Sequence, residues 1–300
     1  MKKIWNDWEL TEKIGQGTYG IVYKAYKKEK NKTIYSAIKH ISIPKTQEKI
    51  KDYIEKGYIK TTKDVLKYYK ELVDSINIEM EIMQELNNNK NIVNYQEKLI
   101  KEKENGELGY DIYIRMELLT SLNNYINKNE LKEKDVIKIG QDIGTALQIC
   151  YEHNILHKDV KTSNIFIDEF GNYKLGDFGV AEKIKNNTYE IKKRGSYNFM
   201  SPEMYKEETI DISNDIYSLG IVMYRLLNNK NVPFIDKNTI VIEINDEKEA
   251  FIKRIKGEEI PNIEGISEKL MNVIKKACSY DKTKRYKTPS EILEDLKKIN

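Results

Sequence analysis

The chain has 300 residues, 33% charged and 39% hydrophobic, with 51 basic against 48 acidic side chains. That length buries a sizeable core in one large domain or two moderate ones, and 10% aromatics argues against disorder. A net charge of +3 and a pI near 8.4 speak against a nucleic-acid partner. No run approaches the roughly 18 apolar residues of a membrane span, and Met1-Lys2-Lys3-Ile4-Trp5-Asn6-Asp7 has no apolar leader core. Cys150 and Cys278 lie far apart, outside metal-ligand spacing, in helix-like apolar stretches. A cytoplasmic protein with no membrane span is expected, its thiols reduced and buried. Only five of the 51 basic residues are arginine (115, 194, 225, 254 and 285), and 28 residues are asparagine. Each arginine kept in such a lysine-biased chain is a candidate for a bidentate contact that lysine cannot make.

In chain order, Leu10 to Ile14, Ile21 to Tyr26 and Thr33 to Ile41 read as strands, parted by Gly15-Gln16-Gly17 and Glu29-Lys30-Asn31-Lys32. Lys63 to Leu86 reads as helix. Asn91 to Ile100 and Tyr110 to Leu118 resume the strand pattern. From about Thr120 a 3.6-residue period dominates, with Val136, Ile139, Ile143, Leu147 and Cys150 on one stripe. Ile216 to Leu227 is almost wholly apolar and should be a buried helix. The expected class is α+β, a small strand-rich N-terminal part followed by a larger helical one.

Gly15-Gln16-Gly17-Thr18-Tyr19-Gly20-Ile21-Val22 follows the first strand. Glycines let a turn approach phosphates with its amide N–H groups available. Ile21 to Tyr26 is β-branched and aromatic, so strand–loop–strand fits better than the strand–loop–helix of a dinucleotide site. An ordinary hairpin turn is the alternative. On the next strand Ala37 and Lys39 share a face. The small residue leaves room for a flat ring, and the lysine can reach an anionic group beside it. A lysine drawn into a cleft needs a counter-charge. Leu72, Ile76, Met83 and Leu86 form an apolar stripe interrupted by Glu79, a position expensive for a carboxylate unless it is paired. Glu79 is therefore the expected partner of Lys39, the alternative being a stripe-edge side chain that reaches solvent. Glu81 shares a polar face with Asp74, Asn77 and Glu85.

His157-Lys158-Asp159-Val160-Lys161-Thr162-Ser163-Asn164 packs Asp, Lys and Asn into six positions. Asp159 can accept a proton or orient a hydroxyl. Lys161 can stabilise a phosphoryl group, and Asn164 offers an oxygen to a hard cation. Thirteen residues past Asn164, Asp177 in Asp177-Phe178-Gly179 supplies a second such oxygen. Two oxygen ligands suit Mg²⁺, which keeps waters and phosphates as the rest of its shell.

With Gly15-x-Gly17-x-x-Gly20-x-Val22, Ala37-x-Lys39, Glu79, His157-x-Asp159-x-Lys161-x-x-Asn164, Asp177-Phe178-Gly179, Ser201-Pro202-Glu203, Asp215-x-x-Ser218-x-Gly220 and Arg285, the chain resembles a eukaryotic-type protein kinase catalytic domain. The match spans about Leu10 to Asn300. It implies a bilobal protein-kinase-like fold over about 8–300, with an N-lobe over 1–118 and a C-lobe over 119–300. It implies ATP beneath Ile14, Gly15, Gln16, Gly17, Thr18, Tyr19, Gly20 and Val22, beside Ala37, with Lys39 on its phosphates and Glu79 holding Lys39. It further implies Asp159 as catalytic base, Lys161 beside it, and Asn164 and Asp177 on Mg²⁺, with Mn²⁺ able to substitute. Met116 would be the gatekeeper and Glu117-Leu118-Leu119 the hinge whose backbone meets adenine. Glu203 would pair with Arg285, and Met83, Tyr95, His157 and Phe178 would stack as a spine. Lys161 and Gly195-Ser196-Tyr197 are similar to serine/threonine kinases, and the composition to eukaryotic-like kinases of low-GC bacteria. The implied activity is transfer of the ATP γ-phosphoryl group to Ser/Thr hydroxyls of protein substrates, the chain itself included. A pseudokinase module is opposed by the presence of Lys39, Asp159, Asn164 and Asp177. A small-molecule kinase is opposed by Ser201-Pro202-Glu203 and the Asp215 helix.

The chain departs from the family pattern at two places. Lys158 stands where the family has an arginine that grips a phosphorylated activation loop, and lysine lacks the bidentate fork. Appreciable activity without phosphorylation at Thr188, Tyr189 or Ser196 is therefore expected. Lys39 and Glu79 are also 40 residues apart, about twice the family spacing, with the excess over about 45–69 read as a docking insert or a solvated decoration.

Overall fold

The computed structural model describes residues 3–5, 7–16, 20–44, 46, 48, 61–104, 107–183, 197–239 and 241–299. The chain divides into two compact units, Met1–Asn87 with Val93–Leu119, and Asn88–Ile92 with Thr120–Asn300.

In the first unit, β1 (Lys3–Ile4), β2 (Trp8–Gln16), β3 (Ile21–Glu29), β4 (Lys32–Ile43), β5 (Tyr95–Glu102) and β6 (Tyr110–Met116) form one sheet in the order β1-β2-β3-β4-β6-β5. Every pair is antiparallel. The ladder between β2 and β3 slips twice, at Leu10/Lys13 and Lys13/Gly15, so β2 enters the glycine segment already bulged. On one face Ile4, Trp8, Ala25, Ile38 and Tyr113 close a core. Because strand side chains alternate, Ala37, Lys39 and Ile41 point from the other face of β4.

The helix α1 runs from Thr62 to Glu85. Thr61 caps it, accepting from the Asp64 N–H while the Asp64 carboxylate takes the Thr61 N–H. Its buried line is Val65, Tyr69, Val73, Met80, Met83 and Leu86. Residues 62–69 are thus the first turns of α1, in keeping with the helix expected over Lys63 to Leu86, and they bury Val65 and Tyr69. The cap at Thr61 starts the helix one residue before the expected Lys63, and the apolar period runs through it. Residues 45, 47 and 49–60 lie outside the described residues.

The second unit is mostly helical. Its elements are β7 (Thr120–Ser121), α2 (Leu122–Ile126), α3 (Glu133–Glu152), β8 (Ile155–Leu156), β9 (Ile165–Ile167), β10 (Tyr173–Leu175), β11 (Glu182–Lys183), α4 (Pro202–Tyr205), α5 (Ile212–Leu227), α6 (Ile244–Lys256), α7 (Glu268–Ala277) and α8 (Pro289–Lys297). Val136, Ile139, Ile143, Leu147 and Cys150 of α3 are all buried, as the stripe predicts. α3 packs on α5 and α8, and α5 packs on α7. The sheets here are small, β10-β9-β7 and β11-β8.

Residues 91 and 92 do not begin a strand with 95–100 as the pattern suggested. Asn91 donates its side-chain N–H to the Tyr173 carbonyl at 2.9 Å, and its own carbonyl accepts from the Leu175 N–H at 2.9 Å. Ile92 then bridges to Leu175 in parallel. These bonds attach 88–92 to the second unit. Both cysteines are buried and unpaired, and burial pushes both thiols up, which disfavours their thiolates at neutral pH.

Candidate active site

Within the first unit the register of β4 against β6 sets Ala37 opposite Met116 and Lys39 opposite Ile114. Lys39 and Glu79 meet as expected, Nζ to Oε1 at 3.5 Å, with side chains 15% and 9% exposed. The pair lies on the face of β4 that α1 covers. Breaking it would leave an uncompensated, nearly buried charge, a loss of about 3–5 kcal/mol. Glu81, Asp74 and Glu85 are exposed, as their shared face requires.

Gly15 pairs with Val22 across the β2–β3 ladder, and Gln16 with Ile21. Ile14 and Gln16 are exposed. Gly17, Thr18 and Tyr19 lie outside the described residues. The two described glycines have different causes. A Cβ on Gly20 would sit 2.4 Å from the His40 carbonyl oxygen, and backbone cannot swing aside, so packing is by itself enough to require that glycine. A Cβ on Gly15 would meet only Val22, at an ordinary 3.6 Å.

At the end of β6 the Glu117 N–H donates to the Asn94 carbonyl at 3.2 Å, and its carboxylate accepts from the Asn94 N–H at 2.6 Å. The Glu117 N–H is therefore spent within the protein.

In the second unit the segment from His157 to Asn164 hangs from Asp215, in the first turn of α5. Its carboxylate, 1% exposed, accepts from the N–H groups of His157 and Lys158, both at 2.8 Å. Burial pushes the Asp215 carboxyl up; His157 and Lys158, through these bonds and their charges, oppose that. The two bonds hold Lys158 at φ +63°, a left-handed conformation unusual for a lysine. Asp159 follows. Its Oδ2 accepts from Lys161 Nζ at 2.6 Å and from Asn164 Nδ2 at 3.1 Å. The same Asn164 nitrogen donates to the Asp159 carbonyl at 3.0 Å. Both amide hydrogens are thereby used, and Asn164 Oδ1 is the atom a hard cation would find.

Asn164 also ties this loop to the next one. Its backbone carbonyl accepts from the Gly176 N–H at 2.9 Å. The His157 ring contacts the Gly176 carbonyl at 3.1 Å and meets the Phe178 ring edge-on at 4.7 Å. Asp177 is exposed between these two anchors, at φ +61°. Asn164 and Asp177 thus come from neighbouring, mutually bonded segments. Among the described residues no three His, Cys, Asp or Glu side chains cluster as a cage. The donor set is the sparse, oxygen-only kind that suits a cation completing its shell with phosphates and water.

Two further ion pairs frame this region. Arg285 forks onto both Glu203 oxygens, its Nη2 at 2.9 Å from Oε2, and its Nε donates to the Ser279 carbonyl at 2.6 Å. Lys158 Nζ lies 2.7 Å from Glu182 Oε1. Glu182 carries no signal in the sequence. It reaches Lys158 because β11 pairs with β8, setting Glu182 opposite Leu156. Thr188, Tyr189 and Ser196 lie outside the described residues.

Comparison with known proteins agrees with this geometry. The pattern of the protein kinase domain family matches residues 8–296. A probable serine/threonine-protein kinase of Clostridium perfringens is 29% identical over 99% of this chain and 39% of its own. The probable serine/threonine-protein kinase PknB of Lactococcus lactis is 29% identical over 64% of this chain and 30% of its own. Serine/threonine-protein kinase PrkC of Bacillus subtilis is 30% identical over 62% of this chain and 28% of its own. The chain thus spans well under half the length of these relatives. Among the described residues no helix is long and apolar enough to cross a membrane.

The two glycines separate packing from other demands. In urea unfolding, Gly20→Ala should cost about 1–3 kcal/mol through the clash with His40, whereas Gly15→Ala should stay within about 0.5 kcal/mol of wild type. Equal losses at the two positions would contradict the distinction.

Proposed function

Because the chain belongs to the protein kinase domain family, we propose that it transfers the γ-phosphoryl group of ATP to serine or threonine hydroxyls of protein substrates, itself included. The observation that carries this reading is the Asp159 carboxylate, braced by Lys161 and Asn164 on a loop suspended from Asp215.

Two donors occupy Asp159 Oδ2, and Oδ1 has no donor among the described residues. Oδ1 would orient the substrate hydroxyl and take its proton. Lys161, already beside Asp159, would offset charge on the phosphoryl group as it moves. Lys39, held by Glu79, would meet the phosphates nearer the nucleoside. Ile14, Gly15, Gln16, Gly17, Thr18, Tyr19, Gly20 and Val22 would cover them, and the tolerance of Gly15 for a Cβ leaves close phosphate approach as the reason for glycine there. Ala37 would leave room for adenine, bordered by Met116, with the backbone of Glu117, Leu118 and Leu119 at its edge. A divalent cation, Mg²⁺ or Mn²⁺, would be held by Asn164 and Asp177 and would neutralise the triphosphate. This domain would work in the cytoplasm, where ATP is present and two unpaired thiols fit.

Incubation with γ-labelled ATP and Mg²⁺ tests it. Wild type should label serine or threonine. Asp159→Ala should remain folded and lose about 10²–10⁴ in rate, the share of a general base. Lys39→Met should fall comparably, and Asp177→Asn should lose cation-dependent transfer. Near-normal turnover of Asp159→Ala or Lys39→Met would refute the assignment.

The Lys158–Glu182 pair supports the further expectation that activity does not wait for a phosphorylated loop. Glu182 already supplies the anion that Lys158 would otherwise seek. Protein stripped by a phosphatase should keep most of its turnover, whereas Glu182→Gln should lower it and make it depend on phosphorylation. A stripped wild type that is silent would contradict this.

A further inference from the structure

The second unit contains a cavity of about 210 Å³ between the end of α2, the loop after Lys161 and the end of α5. Asn123, Asn127, Thr162, Arg225 and Lys230 supply its polar lining, and among the described residues no acidic side chain lines it. Its charge is therefore positive. Arg225 donates Nε to the Lys230 carbonyl at 2.6 Å and lies over the Phe199 ring at 5.5 Å. Those contacts fix the guanidinium plane without neutralising it. Lys230 donates Nζ to Asn127 Oδ1 at 2.9 Å, which leaves the Asn127 amide N–H groups as donors. Among the described residues no carboxylate lies within ion-pair distance of Arg225 or Lys230. Half-burying the Arg225 guanidinium with no carboxylate in ion-pair contact is costly, and a ligand anion, reached also by the exposed Lys230, would recover that cost.

The position of the cavity says what carries the anion. Thr162 follows Lys161, whose ammonium touches Asp159. Three residues separate Asp159 from Thr162, a span of at most about 11 Å. An extended peptide advances about 3.3 Å per residue. A side chain in the cavity therefore belongs to a substrate residue within three or four positions of the hydroxyl presented to Asp159. We propose that this cavity is a specificity subsite for an anionic side chain of the protein substrate, a carboxylate or a phosphate already in place, gripped by Arg225 and Lys230. This rests on the kinase reading above and names the substrate class for the same site.

The test uses alanine peptides holding one serine, with Glu, phosphoserine or Lys placed in turn at each of the four positions on either side. Affinity is read by fluorescence anisotropy, and phosphoryl transfer as kcat/KM. At one or two positions the acidic peptide should bind about tenfold more tightly than the Lys peptide, the worth of one charge-assisted hydrogen bond. The tighter of the Glu and phosphoserine peptides identifies the anion. Lys230 is exposed, so Lys230→Glu should fold with an unchanged melting temperature and abolish or reverse the preference. Arg225→Gln should do the same, with its melting temperature checked because of the Phe199 contact. Equal affinities at every position, or a preference untouched by Lys230→Glu, would overturn the subsite. Acid-selective binding without transfer would overturn the kinase reading and keep the subsite; transfer without selectivity would do the reverse.

Discussion

The Asp215 carboxylate sits in the first turn of α5 and gives both oxygens to the backbone N–H groups of His157 and Lys158. Burial alone would drive that carboxyl toward its neutral form, and the paired N–H donors and nearby Lys158 charge oppose the shift. What they hold is a backbone that turns left-handed at Lys158, a conformation a lysine does not keep unaided. Everything reactive in the second unit follows from that turn. Asp159 is presented next, Lys161 and Asn164 close on it, and Asn164 in turn bonds Gly176 just before Asp177. α5 is almost wholly buried and packs on α3 and α7. A rigid helix thus serves as the post from which a polar loop is hung.

The first unit solves a different problem with the same economy. A lysine on the covered face of β4 and a glutamate inside the apolar line of α1 would each be costly alone. Together they fix the distance between strand and helix and leave an oriented ammonium. Arg285 and Glu203 are the fully buried counterpart in the second unit, where a planar fork meets both carboxylate oxygens.

Much of this was legible because local patterns carry it. The stripe of α3, the alternation in β4 and the interruption at Glu79 each follow from a period and a misplaced charge. What stayed hidden depends on contacts distant in sequence. Nothing in the sequence places Glu182 on Lys158, because the meeting is made by β11 pairing with β8. Asn91 reads as strand, yet its side-chain amide binds Tyr173 more than eighty residues away. Gly20 reads as part of a phosphate loop, and nothing in the sequence shows that the His40 carbonyl also excludes a side chain there. The start of α1 was legible to within one residue, and the capping box at Thr61 is its physical reason. The scarcity of arginine pointed toward positions where lysine would fail, and Arg285 and Arg115 confirm it. Arg285 forks onto Glu203, and Arg115 bonds Gln96 and Glu97 while lying over Trp8.

Amide hydrogen exchange at His157 and Lys158 addresses the suspension of the reactive loop most directly. Both N–H groups lie on a loop, where exchange is ordinarily fast. If Asp215 holds them, they should exchange only with global unfolding in the wild type and become rapid in Asp215→Ala, while the amides of α3 stay protected. Rapid exchange of these two amides in the wild type would contradict the account.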